Sequence, residues 1–181
     1  MTFNFIKNNI LKQNLEISLD HIIILATIAK DKNYNFSEIS KSSLRQSIII
    51  HSASIIEGLL FDYIDLIYLD PEYKWKLKSK KVLYKISDTL EIVGGEYHRE
   101  QIKVDTKTLN IIQLIQILTK NNYISKNLSH NLDKIRILRN GQHLGARDMI
   151  QNFSEKDLTF TIQTLKELYI FLQKEYSKIN Q

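Results

Sequence analysis

The sequence predicts an all-α fold, an up-and-down bundle of about four to six helices. Two observations carry that expectation. Isoleucine and leucine recur at helical spacing along most of the chain. Only 5 glycines and one proline, Pro71, punctuate 181 residues, too few for the tight turns of a β-rich fold. Cysteine is absent, which excludes a disulfide framework, a thiolate metal site and a cysteine nucleophile. A single domain over 1–181 is expected, with its core in about 36–176 and an N-terminal helix packed on it.

The net charge of +5 and pI of about 9.2 allow attraction to nucleic acid or an acidic surface without requiring either. The amino terminus lacks the charged-then-apolar pattern of a secretory leader. The apolar run Ile22–Ala29 is broken by Thr27 and is too short to span a bilayer. A cytoplasmic protein with no membrane partner is the expectation.

The first helix is expected over 4–30, on the spacing of Phe5, Ile6, Ile10, Leu11, Leu15, Ile22 and Leu25. Asp31 to Asn35 form a polar break. Ser37 is a good N-cap for a second helix, with Glu38 in its first turn, running to about Leu69. Ile48, Ile49, Ile55, Ile56, Leu59, Leu60, Tyr63 and Ile64 make it apolar over much of its circumference, so it belongs at the centre. Arg45, His51, Ser54, Glu57 and Asp62 interrupt that surface. His51 suits a core-edge histidine bonded to a neighbour. Glu57, if buried, needs a partner, and an arginine from the stretch around 136–139 is the candidate; a solvated outer-face glutamate is the alternative.

Asp70-Pro71 is a punctuation point. The most basic run follows, with Lys74, Trp75, Lys76, Lys78, Lys80 and Lys81. Lysines interleaved with aromatics can track a phosphate backbone and stack on bases. A solvated lysine-rich face satisfies the same pattern, and its spacing does not decide between helix and strand. The least helical part comes next, with Gly94-Gly95 as a turn signal. A small β-hairpin or irregular insertion is expected near 88–105. Thr106 or Thr108 opens a helix that ends at Asn121-Asn122. Ser125 or Ser129 caps the next. Ser154, with Asp157 three residues on, caps the last, whose apolar seam is Leu158, Ile162, Leu165, Tyr169, Leu172, Tyr176 and Ile179.

The stretch Ser129 to Gly145 holds the densest chemistry. On a helix, Arg136 and His143 lie about 20° apart around the axis, with Arg139 and Asn140 one turn before His143. Leu128, Leu132, Ile135 and Leu138 supply the docking side. A cationic pair beside an imidazole suits a phosphate; the polar rim of an amphipathic helix fits the stripe as well. Gly141 costs a helix interior about 1 kcal/mol against alanine, which invites close approach of another backbone.

Leu132 to Gly145, with its Ile-Arg-Ile-Leu-Arg-Asn-Gly-Gln-His-Leu-Gly core, resembles the signature of HEPN domains. In that family an arginine precedes a histidine with roughly four to six residues between them. Arg136 and His143 have six between them; Arg139 and His143 have three, outside the pattern. Asn140 matches the polar residue common inside the motif, although it follows Arg139. The run Ser52 to Leu60 is similar to the family's earlier core helix. The resemblance implies a dimerising helical bundle, a homodimer in which two such motifs share a cleft. It also implies metal-independent RNA cleavage by a toxin or phage-defence effector, with a neutralising partner protein in some systems. Arg136 and His143 would be catalytic, with Arg139, Asn140 and Glu57 supporting. Other relatives bind RNA, nucleotide or protein without cleaving, and a purely structural dimer stays open.

The chemistry is coherent by itself. RNA carries its own nucleophile, the 2′-hydroxyl. His143 can accept its proton, and a guanidinium at 136 can stabilise charge on the pentacoordinate phosphate. No metal and no cofactor enter that scheme. The histidines are scattered with no metal-ligand spacing, and neither a phosphate-cradling glycine loop nor a nucleophile elbow is present.

Overall fold

The computed structural model describes residues 1–31, 33–67, 72–102, 109–140 and 152–179. The chain divides into two units, Met1–Ile67 with Lys107–Gln181, and Tyr68–Thr106. Among the described residues the fold is mostly helical, with five helices and one small antiparallel sheet.

The larger unit holds α1 (Asn9–Lys30), α2 (Glu38–Leu66), α3 (Ile111–Lys120), α4 (Lys126–Asn140) and α5 (Glu155–Ile179). The centre is α2, which packs against each of the other four. Ile48, Ile49, Ala53, Ile55, Ile56, Leu59, Leu60, Tyr63 and Ile64 are buried along it. At 100° per residue these positions fall within an arc of about 180°, broader than one neighbouring helix covers. By length and composition α2 also passes as a membrane span, and 56% of its most apolar window is buried inside the protein.

Local signals set the helix ends. The Asn8 side chain accepts from the N–H groups of Ile10 and Leu11, so α1 starts later than the spacing of Phe5 and Ile6 suggests. Phe3 and Ile6 are buried ahead of it. Phe3 stacks edge-on against Tyr169, and the Tyr169 hydroxyl donates to the Thr2 carbonyl at 2.8 Å, which ties the chain start to α5. Ser37 caps α2 as expected. α3 opens not at Thr106 or Thr108, which lie outside the described residues, but at Asn110, in a reciprocal capping box with Gln113. Asn122 adopts the left-handed conformation, φ 58°, after α3. Ser125 accepts from Leu128 N–H at the start of α4. Ser154 and Asp157 exchange hydrogen bonds at the start of α5.

The buried stripe of α5 differs from the expected seam. Thr161, Thr164, Leu165, Leu168, Leu172 and Tyr176 are buried, whereas Ile162 and Tyr169 are half-buried and Ile179 is exposed. Threonine fits because its hydroxyl can bond within the helix; Thr161 Oγ1 donates to Asp157 O. The Tyr176 hydroxyl donates to Asp62, one of the polar interruptions of α2. Burial pushes the Asp62 carboxyl upward, and burial with the Asp62 contact raises Tyr176. Tyr63, buried beside them, is pushed up to about 12. Gly58 lets α1 approach α2: a Cβ there would lie 3.2 Å from Leu11 and 3.3 Å from Leu15.

The smaller unit is a two-stranded antiparallel sheet, β1 (Glu72–Lys85) and β2 (Glu91–Ile102). The lysine run is therefore a strand, and the sheet begins well before the expected 88–105. The turn is Ile86 to Leu90, closed by Ile86 N–H and Ser87 N–H donating to Leu90 O, with Thr89 N–H donating to Ser87 Oγ. Gly94 and Gly95 are not the turn. They sit inside β2 opposite Lys81 and Lys80. Gly94 leaves room for Leu83, whose Cδ1 would meet a Cβ at 3.0 Å. The register slips at Leu77/Ser79 and at Val82/Tyr84, both times with the extra residue on β1.

His51 faces His21 of α1, ring centroids 5.0 Å apart. Its pKa is lowered, first by burial and then by the His21 charge. The unfolded chain therefore binds the proton more readily, so stability holds above the unfolded value and falls as pH drops through about 6.5 and below. His51→Gln is expected to flatten this part of the stability profile in urea melts between pH 7.5 and 5. An unchanged slope would show that His51 does not contribute to it.

Candidate functional site

Four of the sequence-predicted residues come together. Glu57, Arg136, Arg139 and Asn140 line one cleft with Asn110, Ile111 and Ile112, a space of about 520 Å³. α4 buries Leu128, Leu132 and Ile135; at 100° per residue Arg139 continues that seam, with Arg136 and Asn140 at its flank. That docking brings Arg139 against α2 and leaves Arg136 and Asn140 beside it on the cleft wall. α2 supplies Glu57, and α3 supplies its N-terminal end.

Glu57 meets Arg139, whose Nη1 donates to Glu57 Oε2 at 2.7 Å. Their side chains are 25% and 34% exposed, so the pair is partly desolvated. It joins the last turn of α4 to the middle of α2. Arg136 donates from Nε to Asp133 Oδ1 at 2.6 Å, one turn earlier on the same helix. At 20% exposure the Arg136 side chain is the more enclosed of the two arginines. Each of these contacts uses one of the five N–H donors that a guanidinium carries. The carboxylates orient the two cations and offset part of their charge. The start of α3 adds about half a positive charge at its N-terminus, while its capping box takes up the N–H groups of Asn110 and Gln113. Two guanidiniums, a side-chain amide and a helix N-terminus make the cleft suited to an anion with several acceptor oxygens.

His143, with Gly141 and Gly145, lies outside the described residues. The chain on both sides of that stretch is held to α2. On one side stands the Arg139–Glu57 pair. On the other, Phe153 is 2% exposed, its N–H donates to Ser42 Oγ at 2.9 Å, and Arg45 Nη1 donates to its carbonyl at 3.2 Å. Arg45 Nε also donates to Glu155 Oε2 at 3.0 Å. Sequence reasoning marked Arg45 only as a polar interruption and missed Ser42. The available signal was a serine and an arginine three residues apart on an otherwise apolar helix, which asks for polar partners.

The proposed RNA-tracking lysines are in the other unit, on β1. Lys76, Lys78, Lys80 and Lys81 are exposed. Lys78 stands 3.9 Å from Glu96 and Lys80 3.4 Å from Glu91. The side chains of Lys74 and Trp75 lie outside the described set; their backbones pair with Glu100 and Arg99. Among the described residues no three His, Asp or Glu side chains converge as a metal site.

No family model, no curated protein and no solved structure matches the chain.

The Glu57–Arg139 pair is expected to couple by about 1 kcal/mol in a double-mutant cycle of Glu57→Gln and Arg139→Gln read by denaturant unfolding. A coupling near zero would reduce the pair to an ordinary surface contact.

Proposed function

We propose that this chain is a HEPN-like, metal-independent endoribonuclease, acting as a toxin or phage-defence effector in the cytoplasm. The observation that carries the reading is the cleft that gathers Arg136, Arg139, Asn140 and Glu57 at the N-terminal end of α3. In this reading the scissile phosphate of a single-stranded RNA sits against the guanidiniums. His143 takes the 2′-hydroxyl proton, and that oxygen attacks the adjacent phosphorus. The 5′-oxygen leaves, protonated from solvent or from a second imidazole, and a 2′,3′-cyclic phosphate remains. Arg136 stabilises the dianionic pentacoordinate phosphate, and Asp133 holds Arg136 in position. Arg139 is a positioning residue, fixed by Glu57, and Asn140 adds a neutral donor. In the same reading the lysines of β1 form an RNA track of the smaller unit itself. An up-and-down bundle that pairs with a second copy, bringing two stripes to one cleft, completes the family-like arrangement; a neutralising partner would cover it.

A second reading has one observation in its favour. Both guanidiniums already have a carboxylate, at 2.6 and 2.7 Å. A module that binds RNA without cutting it would keep such pairs as structural ties.

The two readings separate on purified protein with single-stranded RNA in the presence of chelator. The nuclease reading expects cleavage to products ending in cyclic phosphate. It expects His143→Ala and Arg136→Ala each to lower the rate by about 100-fold or more, and Arg139→Ala by less. Full-strength cleavage by both alanine variants would remove the assignment. RNA binding that falls steeply with salt, with no cleavage, would move the protein to the binding module.

A further inference from the structure

The two edges of the hairpin are unlike. Both register slips put their extra residue on β1, and β1 carries Lys74, Lys76, Lys78, Lys80, Lys81 and Lys85. Bulges and lysines are the features that keep an edge strand from pairing with another chain. β2 has neither: its residues run without interruption from Glu91 to Ile102, and none is lysine. Among the described residues β2 pairs with one strand, β1. Large apolar side chains are exposed along it, Ile92 at 49%, Val93 at 38% and Tyr97 at 55%. A two-stranded ribbon is marginal in water by itself; three or more strands with an apolar face are needed for independent stability.

The sequence of β2 is complementary to itself when reversed about Gly95. Antiparallel pairing of two copies with Gly95 opposite Gly95 sets Glu91 opposite Arg99 and Val93 opposite Tyr97, each twice by symmetry. Because side chains alternate, residues 91, 93, 95, 97 and 99 share one face. That face would then hold two Glu–Arg pairs flanking two Val–Tyr pairs, with glycine at the two-fold axis, and no like charges stand opposite each other. A shift of one residue in β2 destroys the matching, placing Glu91 against His98 or Glu100. Pairing β1 with β1 would instead oppose lysines across two bulged strands.

We propose that β2 is an interface between two copies of this chain, joining two hairpins into one four-stranded antiparallel sheet in the Gly95-centred register. Such an isologous contact closes on itself and does not propagate. Glu91 keeps Lys80 as its in-chain neighbour at 3.4 Å and gains the Arg99 of the other copy. This interface stands independently of the nuclease reading and of any pairing through α4.

The test uses the 181-residue chain, which has no cysteine of its own. Gly95→Cys places two thiols across the axis, within disulfide reach. Tyr97→Cys places them roughly 14 Å apart along the strands, beyond it. Under mild oxidation Gly95→Cys is expected to form a covalent dimer and Tyr97→Cys to remain monomeric on a non-reducing gel. By analytical ultracentrifugation, Glu91→Arg and Arg99→Glu should each weaken association by about ten-fold, since each opposes like charges twice. The double variant E91R/R99E should return to within a few-fold of the parent. A monomeric parent, equal crosslinking at 95 and 97, or a double variant no better than the singles would overturn the proposal. So would association that ignores β2 and fails only on substitution in α4.

Discussion

The helical unit depends on the burial of α2. Ile48, Ile49, Ile55, Ile56, Leu59, Leu60 and Tyr63 are all 2% exposed or less, and they form one broad face, an arc of about 140° around the helix. Fully burying side chains of this size contributes about 1.5–3 kcal/mol each, so α2 is stable only when that broad face is covered. α1, α3, α4 and α5 provide that cover. Gly58 admits α1 at close range, and the two buried threonines of α5 let it pack without adding bulk. The cleft follows from this packing: α4 must bury Leu128, Leu132 and Ile135, so Arg139, one turn further along the same seam, meets Glu57 of α2, and Arg136 and Asn140 flank it.

A broad buried face tolerates few polar groups, and several polar groups of α2 at or near it meet partners from other elements. Glu57 meets Arg139, Asp62 receives the Tyr176 hydroxyl, Ser42 and Arg45 hold Phe153, and His51 faces His21. These contacts fix the order and register of the surrounding helices more than they add net stability. A part-buried ion pair returns little beyond its desolvation cost, while removal of one partner leaves the other stranded. Two of the contacts flank the chain on either side of residues 141–151, where His143 lies. Whatever His143 does, it does from a segment whose two ends are anchored on the same helix.

Much of this was legible in the sequence because it rests on periodicity and capping. The apolar circumference of α2, the Ser37 and Ser154 caps, and the docking side of α4 could be read from residue spacing. Glu57 could be read as needing an arginine because a charge on so apolar a helix demands one. The hairpin was less legible. Its turn uses Ser87, Asp88 and Thr89, whose side chains mimic turn hydrogen bonds weakly, whereas Gly94-Gly95 gives the stronger turn signal yet serves to admit Leu83. The lysine run alternates like a strand from Lys74 to Lys80, but the register slip at Leu77/Ser79 leaves no mark in that spacing. Partners distant in sequence, such as Ser42 with Phe153, leave no local pattern. The face of α5 that packs inward turned on Thr161 and Thr164, which hydropathy alone places outside.

The central claim is that the cleft between α2, α3 and α4 receives an RNA phosphate on Arg136 and Arg139. Arginine Nε–Hε signals in nuclear magnetic resonance read those two side chains directly, and a single-stranded RNA with 2′-O-methyl groups forms a complex that cannot be cleaved. On titration the account predicts saturable shifts of the Arg136 and Arg139 signals, lost as salt is raised. Shifts restricted to Arg99 and the lysines of β1, with Arg136 and Arg139 unmoved, would contradict it.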